Sequence, residues 1–314
     1  MFIRVFAVLF GLAWGSFLNV VIHRVPRSES VVRPASRCPA CGVPIGAFDN
    51  IPVLSFLLLR GKARCCGAKI SPRYVLVEAM GGLMAAAIVE TTLLTLPGKT
   101  PIIHVIAIFL ANLALTLGLI AASFIDLEHM LIPDSISYGA AVLGLGTFAL
   151  RPPLRFFDAL LAGAGAFLVV WLVFGALYRV VRGRTGMGLG DAKLLMVAGF
   201  WFGWEGAVFV LLAGAVQGTI AAVAMLAVRG KIDEPAAVQR EREEILASIA
   251  EIEDEAERQE AEKEAARDPI FEREAEGVGQ TRIAFGPFLA LATIEYLLFG
   301  RMLIESYFRW LVPS

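Results

Sequence analysis

Long apolar runs separated by short polar segments dominate the chain. A transmembrane α-helix needs roughly 20 predominantly apolar residues, because the hydrocarbon layer of a bilayer is about 30 Å thick. Eight runs meet or approach this length, and they lie at 3–22, 75–96, 102–125, 131–150, 156–178, 191–204, 207–228 and 283–300. The pattern therefore predicts an all-α polytopic membrane protein with about eight transmembrane helices.

Two of these runs have a second interpretation. The first run is also consistent with a signal peptide, but it lacks a small-x-small cleavage site and a basic start beyond Arg4, which favours a retained helix. The run at 191–204 is short for a full span, so we expect a tilted helix or an unwound start. A tight turn over 203–206 then leads into the next run.

The polar segment at 23–74 is basic and sets the predicted orientation. Only Glu29 and Asp49 oppose its basic residues, which are Arg24, Arg27, Arg33, Arg37, Arg60, Lys62, Arg64, Lys69 and Arg73. Short loops rich in Lys and Arg stay in the cytoplasm, so this segment is predicted to be cytoplasmic. Counting spans from it puts the ends of the third and fifth runs on the same side, the fifth being followed by Arg179, Arg182 and Arg184.

The composition supports a membrane protein and isolates one polar insert. Hydrophobic residues make up 57% of the chain and charged residues only 18%, whereas a soluble domain is about a quarter charged. Residues 231–276 alone hold 17 acidic and 7 basic side chains. We expect this insert to be a solvated helix or short coiled coil, or a docking arm for an assembly partner. Its apolar stripe is Ile245, Ile249, Ile252 and Ala256. Nothing in the sequence indicates a nucleic-acid partner.

Two acidic residues beside the apolar runs are the candidate chemistry. Asp126 follows the third run, and Asp191 follows the closely spaced Gly186, Gly188 and Gly190. Charge beside hydrocarbon is costly and marks a functional candidate, and counting spans places both carboxylates at one face. The glycines would let a substrate backbone approach closely. Two carboxyl groups that share a proton can hydrolyse a peptide bond, so we interpret the pair as an aspartyl proteolytic site.

The roles of these residues leave several alternatives open. Helix direction favours the ionised form at Asp191 and the protonated form at Asp126. Asp191 and Asp134 are also typical of helix caps, and Lys193 is typical of a side chain that snorkels or pairs locally, with holding a substrate as the alternative. A transporter that uses the aspartates as a proton relay is the alternative from another class, but a relay places its carboxylates near mid-membrane.

The four cysteines of the chain crowd into the polar segment at 23–74. Cys38 and Cys41 form a C-x-x-C knuckle, and Cys65 and Cys66 are adjacent. This crowding favours a metal site over a disulfide framework, since a cytoplasmic loop lies in a reducing compartment. Tetrathiolate zinc sites pair two C-x-x-C knuckles, so the adjacent cysteines make Cys65 the least certain ligand of a structural zinc site.

Seven stretches of the chain carry a family resemblance. They read GSFLNVVIHRVP at 15–26, CPAC at 38–41, NIP at 50–52, ISPRYVLVE at 70–78, Asp126 with IPD at 132–134, GLGDAKL at 188–194 and FGPFLA at 285–290. In this combination they resemble the type IV prepilin peptidases, also called type 4 prepilin-like leader peptidases. The G-x-G-D element alone is also similar to presenilin-like proteases, but the surrounding stretches point away from those.

The resemblance implies an inner-membrane aspartyl protease that removes the basic leader of type IV prepilins and type II secretion pseudopilins at the cytoplasmic face. The family's catalytic aspartates correspond to Asp126 and Asp191. Many members with a long N-terminal cytoplasmic domain also methylate the new N-terminus with S-adenosylmethionine, and the segment at 23–74 resembles that domain. The resemblance therefore implies both activities. A peptidase without methyltransferase activity is the alternative. Candidates for substrate or leader binding are Glu78, Gly188, Gly190, Lys193 and Asp134, and a structural interfacial carboxylate is the alternative for Glu78.

The chain departs from the family pattern at two places. The family's second knuckle is C-x-x-C, and aligning its last cysteine with Cys66 puts Ala63 at the other ligand position. Cys65 then substitutes, or the site is three-thiolate or empty. The charged insert is the second departure.

The sequence divides the chain into five parts. They are a first transmembrane helix (1–22), a cytoplasmic zinc-knuckle-like domain (23–74), a transmembrane peptidase core (75–228), a charged insert (229–282) and a last transmembrane helix with its tail (283–314).

Overall fold

The structure, a computed structural model, describes residues 1–151, 154–178, 180, 187–229, 236–252, 254–265 and 284–311. Its helices are α1 (Phe2–Arg24), α2 (Leu54–Leu58), α3 (Pro72–Thr91), α4 (Ile102–His129), α5 (Asp134–Gly146), α6 (Phe156–Val170), α7 (Leu189–Arg229), α8 (Ala236–Ala250), α9 (Glu255–Ala265) and α10 (Gly286–Leu311). Within these residues two isolated β-bridges occur and no strand forms. The all-α membrane fold predicted from the apolar runs is confirmed.

Among the residues that the structure describes, five helical segments are long and apolar enough to cross a membrane. They are Phe2–Arg27, Pro72–Thr95, Ile102–His129, Phe156–Leu177 and Leu189–Val228. The eight apolar runs do not map one to one onto these segments. The run at 131–150 forms only the 13-residue α5 and a 3-10 turn, the runs at 191–204 and 207–228 are both contained in α7, and the last run forms the shorter apolar helix Gly286–Gly300.

The two parts of α7 reverse direction at Gly203. This residue has φ 73° and ψ −164°, a conformation that only glycine adopts readily. Gly190, at the start of α7, contacts Ile132, while Gly218, in the second part, contacts Phe285 just before α10. Because Gly286 also contacts Ile132, the first part of α7 starts beside the start of α10, and the second part returns past it at Gly218. The turn predicted after the 191–204 run is therefore present.

Helices α1 and α3 cross closely because glycines line their contact. A Cβ atom at Gly11 would lie 2.3 Å from the carbonyl oxygen of Gly81, and one at Gly15 would lie 2.9 Å from the backbone of Glu78. Such small residues let membrane helices approach until their backbones touch. Asn19 Nδ2 adds a hydrogen bond to the carbonyl oxygen of Tyr74 at 3.1 Å. This pair fixes the start of α3, where the polar segment rejoins the helices.

Helix α4 lies at the centre of the molecule and joins its two hydrophobic cores. One core packs α1, α3 and α4 together around residues such as Ile120. The other packs α4, α5, α6, α7 and α10 around residues such as Leu119. Since α4 is covered on both sides, a polar residue near its end is shielded by the helices around it. Asp126, in the last turn of α4, is such a residue.

The described part of the charged insert forms two helices joined by a short non-helical segment. α8 and α9 carry the Glu, Ala and Arg composition expected of a solvated helix. Ile249 is buried, and α8 contacts α4, so the apolar stripe packs on this chain. Residues 230–235, 253 and 266–283 lie outside the described residues, as do the orientation markers Arg179, Arg182 and Arg184.

Candidate active site

Asp126 is a buried carboxylate in the last turn of α4. Only 6% of the residue is exposed, and the backbone N–H of Gly286 donates a hydrogen bond to its Oδ2 at 3.1 Å. The helix runs one turn further than the sequence pattern suggests and ends at His129, and Met130 after it has a left-handed φ of 51°. Asp126 is therefore held between the end of α4 and the start of α10.

Asp191 is the third residue of α7 and caps the helix that carries it. Its Oδ2 accepts a hydrogen bond from the backbone N–H of Gly188 at 3.2 Å. This is the half of a capping box in which an acidic residue in the first turn reaches back to the residue before the helix. Asp191 is therefore not the N-cap residue itself but helps to cap the helix from its third position, and the residue is half-buried.

Ile132 joins the segments that carry the two aspartates. A Cβ atom at Gly190 would lie 3.0 Å from Ile132 Cβ, and one at Gly286 would lie 2.9 Å from Ile132 Cδ1. One apolar side chain therefore packs against the backbone beside Asp191 and against the backbone that binds Asp126. The segments that carry the two carboxylates therefore meet at this side chain. The structure thus brings together the pair that the sequence analysis selected.

Gly286 and Ile132 are functional residues that the sequence does not single out. Both lie in stretches that carry the family resemblance, FGPFLA at 285–290 and IPD at 132–134, and this was the only available signal. A glycine that donates its N–H across 160 residues to Asp126 has no side-chain chemistry to identify it. Only a glycine fits at this position, because a Cβ atom at Gly286 would lie 2.6 Å from Asp126 Oδ2.

Asp126 and Asp191 are together called the dyad below. Lys193 and Asp134 form an ion pair next to it. Asp134 is the first residue of α5, and Lys193 lies on the first part of α7, so the pair links the two helices. The Lys193 ammonium also lies 5.3 Å from the centre of the Tyr138 ring. Its side chain is only 14% exposed, whereas that of Asp134 is 65% exposed. The local pairing expected of Lys193 is present, and the carboxylate partner faces outward.

Glu78 joins the polar segment to the membrane helices. Its Oε2 accepts a hydrogen bond from the backbone N–H of Val53 at 2.7 Å, which ties the segment around α2 to the second turn of α3. Arg73, in the first turn of α3, forms an ion pair with Glu128, two residues beyond Asp126. The polar segment is therefore connected to the end of α4 through α3, and Glu78 occupies a structural position.

The four cysteines converge on one point. Their sulfur atoms all lie within 4.8 Å of one another; Cys38 Sγ is 3.7 Å from Cys66 Sγ, and Cys41 Sγ is 3.3 Å from Cys65 Sγ. A tetrahedral zinc site with Zn–S bonds of about 2.3 Å has sulfur atoms about 3.8 Å apart. The separations therefore fit a four-thiolate site that includes Cys65.

Two similar turns supply these cysteines. In the first, residues 37 and 44 form an antiparallel bridge, and Gly42 donates its N–H to the carbonyl of Cys38. In the second, residues 62 and 69 form the bridge, and Gly67 donates to the carbonyl of Ala63. Ala63 thus occupies the position of Cys38, and Cys66 that of Cys41. Cys65 supplies the fourth sulfur from a position that has no ligand in the first turn.

The first turn also favours a thiolate. Hydrogen bonds from the backbone of Cys41 and Ala40 lower the pKa of the Cys38 thiol to about 6. The neighbouring Cys41 thiol raises the pKa of Cys65 to about 12, so the metal-free cluster retains a proton there. Since metal ions bind thiolates, binding would release that proton.

Two family models match the chain. One, described as the bacterial peptidase A24 N-terminal domain, matches residues 9–92, and the other, described as the type IV leader peptidase family, matches residues 113–223. The first match contains the cysteine cluster and Glu78, and the second contains Asp126 and Asp191. No solved structure matches the chain.

Proteins named prepilin leader peptidase/N-methyltransferase resemble the chain over most of its length. The one from Aeromonas hydrophila is 37% identical over 245 residues, which cover 70% of this chain and 80% of that protein. The one from Myxococcus xanthus (strain DK1622) is 34% identical over 322 aligned residues, covering 94% and 90%. The one from Klebsiella pneumoniae is 39% identical over 208 residues, covering 64% and 85%. The chain therefore belongs to the type IV leader peptidase family.

Proposed function

We propose that this protein is an aspartic endopeptidase that removes the basic leader of type IV prepilins and type II secretion pseudopilins. The observation that carries the proposal is the convergence of Asp126 and Asp191 at one end of a bundle of membrane helices. Glycine backbone surrounds both carboxylates, at Gly188 and Gly190 on one side and at Gly286 on the other. Family membership supports the same activity.

The pair would act by shared general acid–base catalysis. One carboxylate removes a proton from a water molecule, whose oxygen attacks the scissile carbonyl, while the protonated partner donates to the carbonyl oxygen. The tetrahedral intermediate then collapses: its C–N bond breaks, and the leaving amine takes up a proton from the dyad. Helix direction favours Asp191 as the base and Asp126 as the acid. Gly286 would orient Asp126 throughout, since its N–H binds one carboxylate oxygen.

We infer an inner-membrane location with the dyad facing the cytoplasm. The basic polar segment at 23–74 and the dyad lie at the same end of the bundle, because Arg73 pairs with Glu128 beside Asp126. Positively charged loops stay on the cytoplasmic side. A basic leader ahead of an apolar helix would then meet the acidic Asp134 and Glu128 at this face. A transporter's proton relay would instead place its carboxylates at different depths in the membrane.

The relatives' name implies methyl transfer from S-adenosylmethionine, and we propose that this chain shares it. The groove between α4 and α5 is lined by apolar residues only and offers no partner for the donor's charged groups. Glu78 binds Val53 and so already has a structural partner. We therefore assign no residue to the methyl donor.

We propose that Cys38, Cys41, Cys65 and Cys66 hold a structural zinc ion. The sulfur separations and the lowered pKa of Cys38 support this assignment. A bound ion would hold the two turns together. The segment that contains the second turn is closed by a hydrogen bond from the Ile70 N–H to the Gly61 carbonyl, and α3 begins directly after it at Pro72. The ion would thereby stabilise the segment that places Arg73 and Glu78.

Cleavage of a prepilin precursor by the purified protein tests the proposed function. We expect the unchanged protein to release the leader, and the variants Asp126→Asn and Asp191→Asn each to lose cleavage while keeping the same melting temperature. Asp158→Asn, on α6, is the matched control for removing a charge and should cleave normally. Full cleavage by either dyad variant would show that the dyad is wrongly assigned.

A further inference from the structure

An apolar groove opens between α4 and α5 on the side of the bundle. Its lining comes from Ala114 and Gly118 of α4 and from Ile136, Gly139, Ala140, Val142 and Leu143 of α5. The groove has a volume of about 460 Å³. Its α5 wall spans eight residues, or about 12 Å of helix.

The residues at the floor of this groove are small, and one of them is uncovered. A Cβ atom added at Gly139 would meet no atom within 4 Å, whereas one at Gly118 would make ordinary contact with Ile136. Val142, one turn after Tyr138 on the same face of α5, is 71% exposed. The groove therefore presents backbone and small side chains flanked by a large apolar residue, which is the surface against which membrane helices pack.

The groove is aligned with the dyad. Gly118 precedes Asp126 by eight residues on α4, which places it about 12 Å along the helix axis from the carboxylate. On α5, the groove begins at Ile136, two residues after Asp134, which pairs with Lys193. Lys193 in turn faces Tyr138. One end of the groove therefore adjoins the cluster beside Asp191, and the other points along α5 away from it.

We propose that this groove binds the apolar helix of the precursor, the segment that directly follows the leader; the inference rests on the proposed function. A helix placed here parallel to α5 would have its first residues beside Asp134 and Lys193 and its scissile bond near the dyad. The basic leader would extend beyond the start of α5, toward Asp134 and Glu128. The small residues let the two backbones approach closely, which an acyl chain does not require.

Filling the groove tests this assignment. Gly139→Leu adds a side chain to open space, so it blocks the groove without a clash in the protein itself. We expect kcat/KM for a full-length precursor to fall at least about tenfold, since one lost apolar contact surface has this effect on specificity. Gly146→Leu is the matched control, because it makes the same change in α5, also in open space but outside the lining, and should leave kcat/KM unchanged. Equal cleavage by both variants would overturn the proposal.

Photo-crosslinking identifies the occupant independently of turnover. Benzoylphenylalanine at Val142, in a protein that also carries Asp191→Asn, should crosslink to the apolar helix of an uncleaved precursor in phospholipid vesicles. The same probe at Leu83 on α3, which is 64% exposed, should not. Adducts at Val142 with lipid alone, or with a second copy of this chain, would overturn the proposal.

The two measurements separate this inference from the proposed function. If the unchanged protein fails to cleave the precursor but Val142 crosslinks to it, the groove assignment stands and the peptidase assignment falls. If the protein cleaves the precursor but Gly139→Leu cleaves equally well and Val142 gives no precursor adduct, the peptidase assignment stands and the groove assignment falls.

Discussion

The backbone N–H of Gly286 donates a hydrogen bond to the carboxylate of Asp126 at 3.1 Å, across 160 residues of sequence. This contact joins the first residue of α10 to the last turn of α4. It places a backbone dipole on one carboxylate oxygen and leaves no room for a side chain, since a Cβ at Gly286 would lie 2.6 Å from Asp126 Oδ2. The carboxylate is therefore oriented by a residue that has no side chain of its own.

Gly286→Ala should accordingly lower cleavage sharply. The methyl group would displace the Asp126 carboxylate or the start of α10, and a displacement of about 1 Å at a catalytic group costs on the order of 100-fold in rate. We expect kcat to fall by about this factor with a small change in KM, measured on a prepilin precursor. Gly146→Ala, whose Cβ would meet no atom within 4 Å, is the control. Wild-type kcat in Gly286→Ala would mean that Asp126 does not need this position.

The ion pair between Arg73 and Glu128 should couple the polar segment to the end of α4. Their side chains are 24% and 40% exposed, so solvent screens the pair, and we expect a coupling free energy of about 0.5–1 kcal/mol. Arg73→Glu and Glu128→Arg should each lower the melting temperature, and the double variant should recover part of the loss. A double-mutant cycle measures this coupling, and strictly additive effects would show that the pair contributes nothing.

The cysteine cluster should bind one zinc ion per chain, with Cys65 as the fourth ligand. Cys65→Ala should lower the zinc content measured by mass spectrometry of the purified protein. Because Ala63 occupies the position equivalent to Cys38, the combination of Ala63→Cys with Cys65→Ala should restore binding through a second C-x-x-C knuckle. Full zinc content in Cys65→Ala alone would show that three thiolates suffice.

Arg151 should stabilise the end of the bundle away from the dyad. Its guanidinium donates to the Trp201 carbonyl at 2.6 Å and to Thr147 Oγ1 at 3.1 Å, and it lies 4.4 Å from the centre of the Trp201 ring. Lysine cannot reproduce this forked geometry. We expect Arg151→Lys to cost about 2 kcal/mol, seen as a lower melting temperature, while kcat of the folded protein stays unchanged. A loss of kcat without loss of stability would contradict this structural role.

Much of the fold and of the candidate site is predictable from local sequence. The length of an apolar run is limited by the thickness of the bilayer, so the helices of a membrane protein can be recognised individually. Asp126 and Asp191 are recognisable in the same way, because a charge beside hydrocarbon is costly wherever the chain folds. The cysteine cluster also follows from spacing, although the position of Cys65 in its turn does not.

Other features depend on contacts that no local pattern encodes. The run at 131–150 has the composition of a span, yet it forms the short α5, and the groove beside it exists only because α4 lies next to it. Gly286 and Ile132 carry no chemical signal, and their role arises where α4, α7 and α10 meet. Glu78 looks like a binding carboxylate in the sequence, and only the structure gives it Val53 as a partner.

The sequence by itself therefore determined the all-α membrane architecture, the two candidate acidic residues and the set of clustered thiols, because each depends on the free energy of placing one residue type in one environment. The tertiary structure alone decided that Asp126 and Asp191 are neighbours, that Ile132 packs between their segments and that Gly286 binds Asp126. These are contacts between residues far apart along the chain, and they form only when separate helices pack against one another.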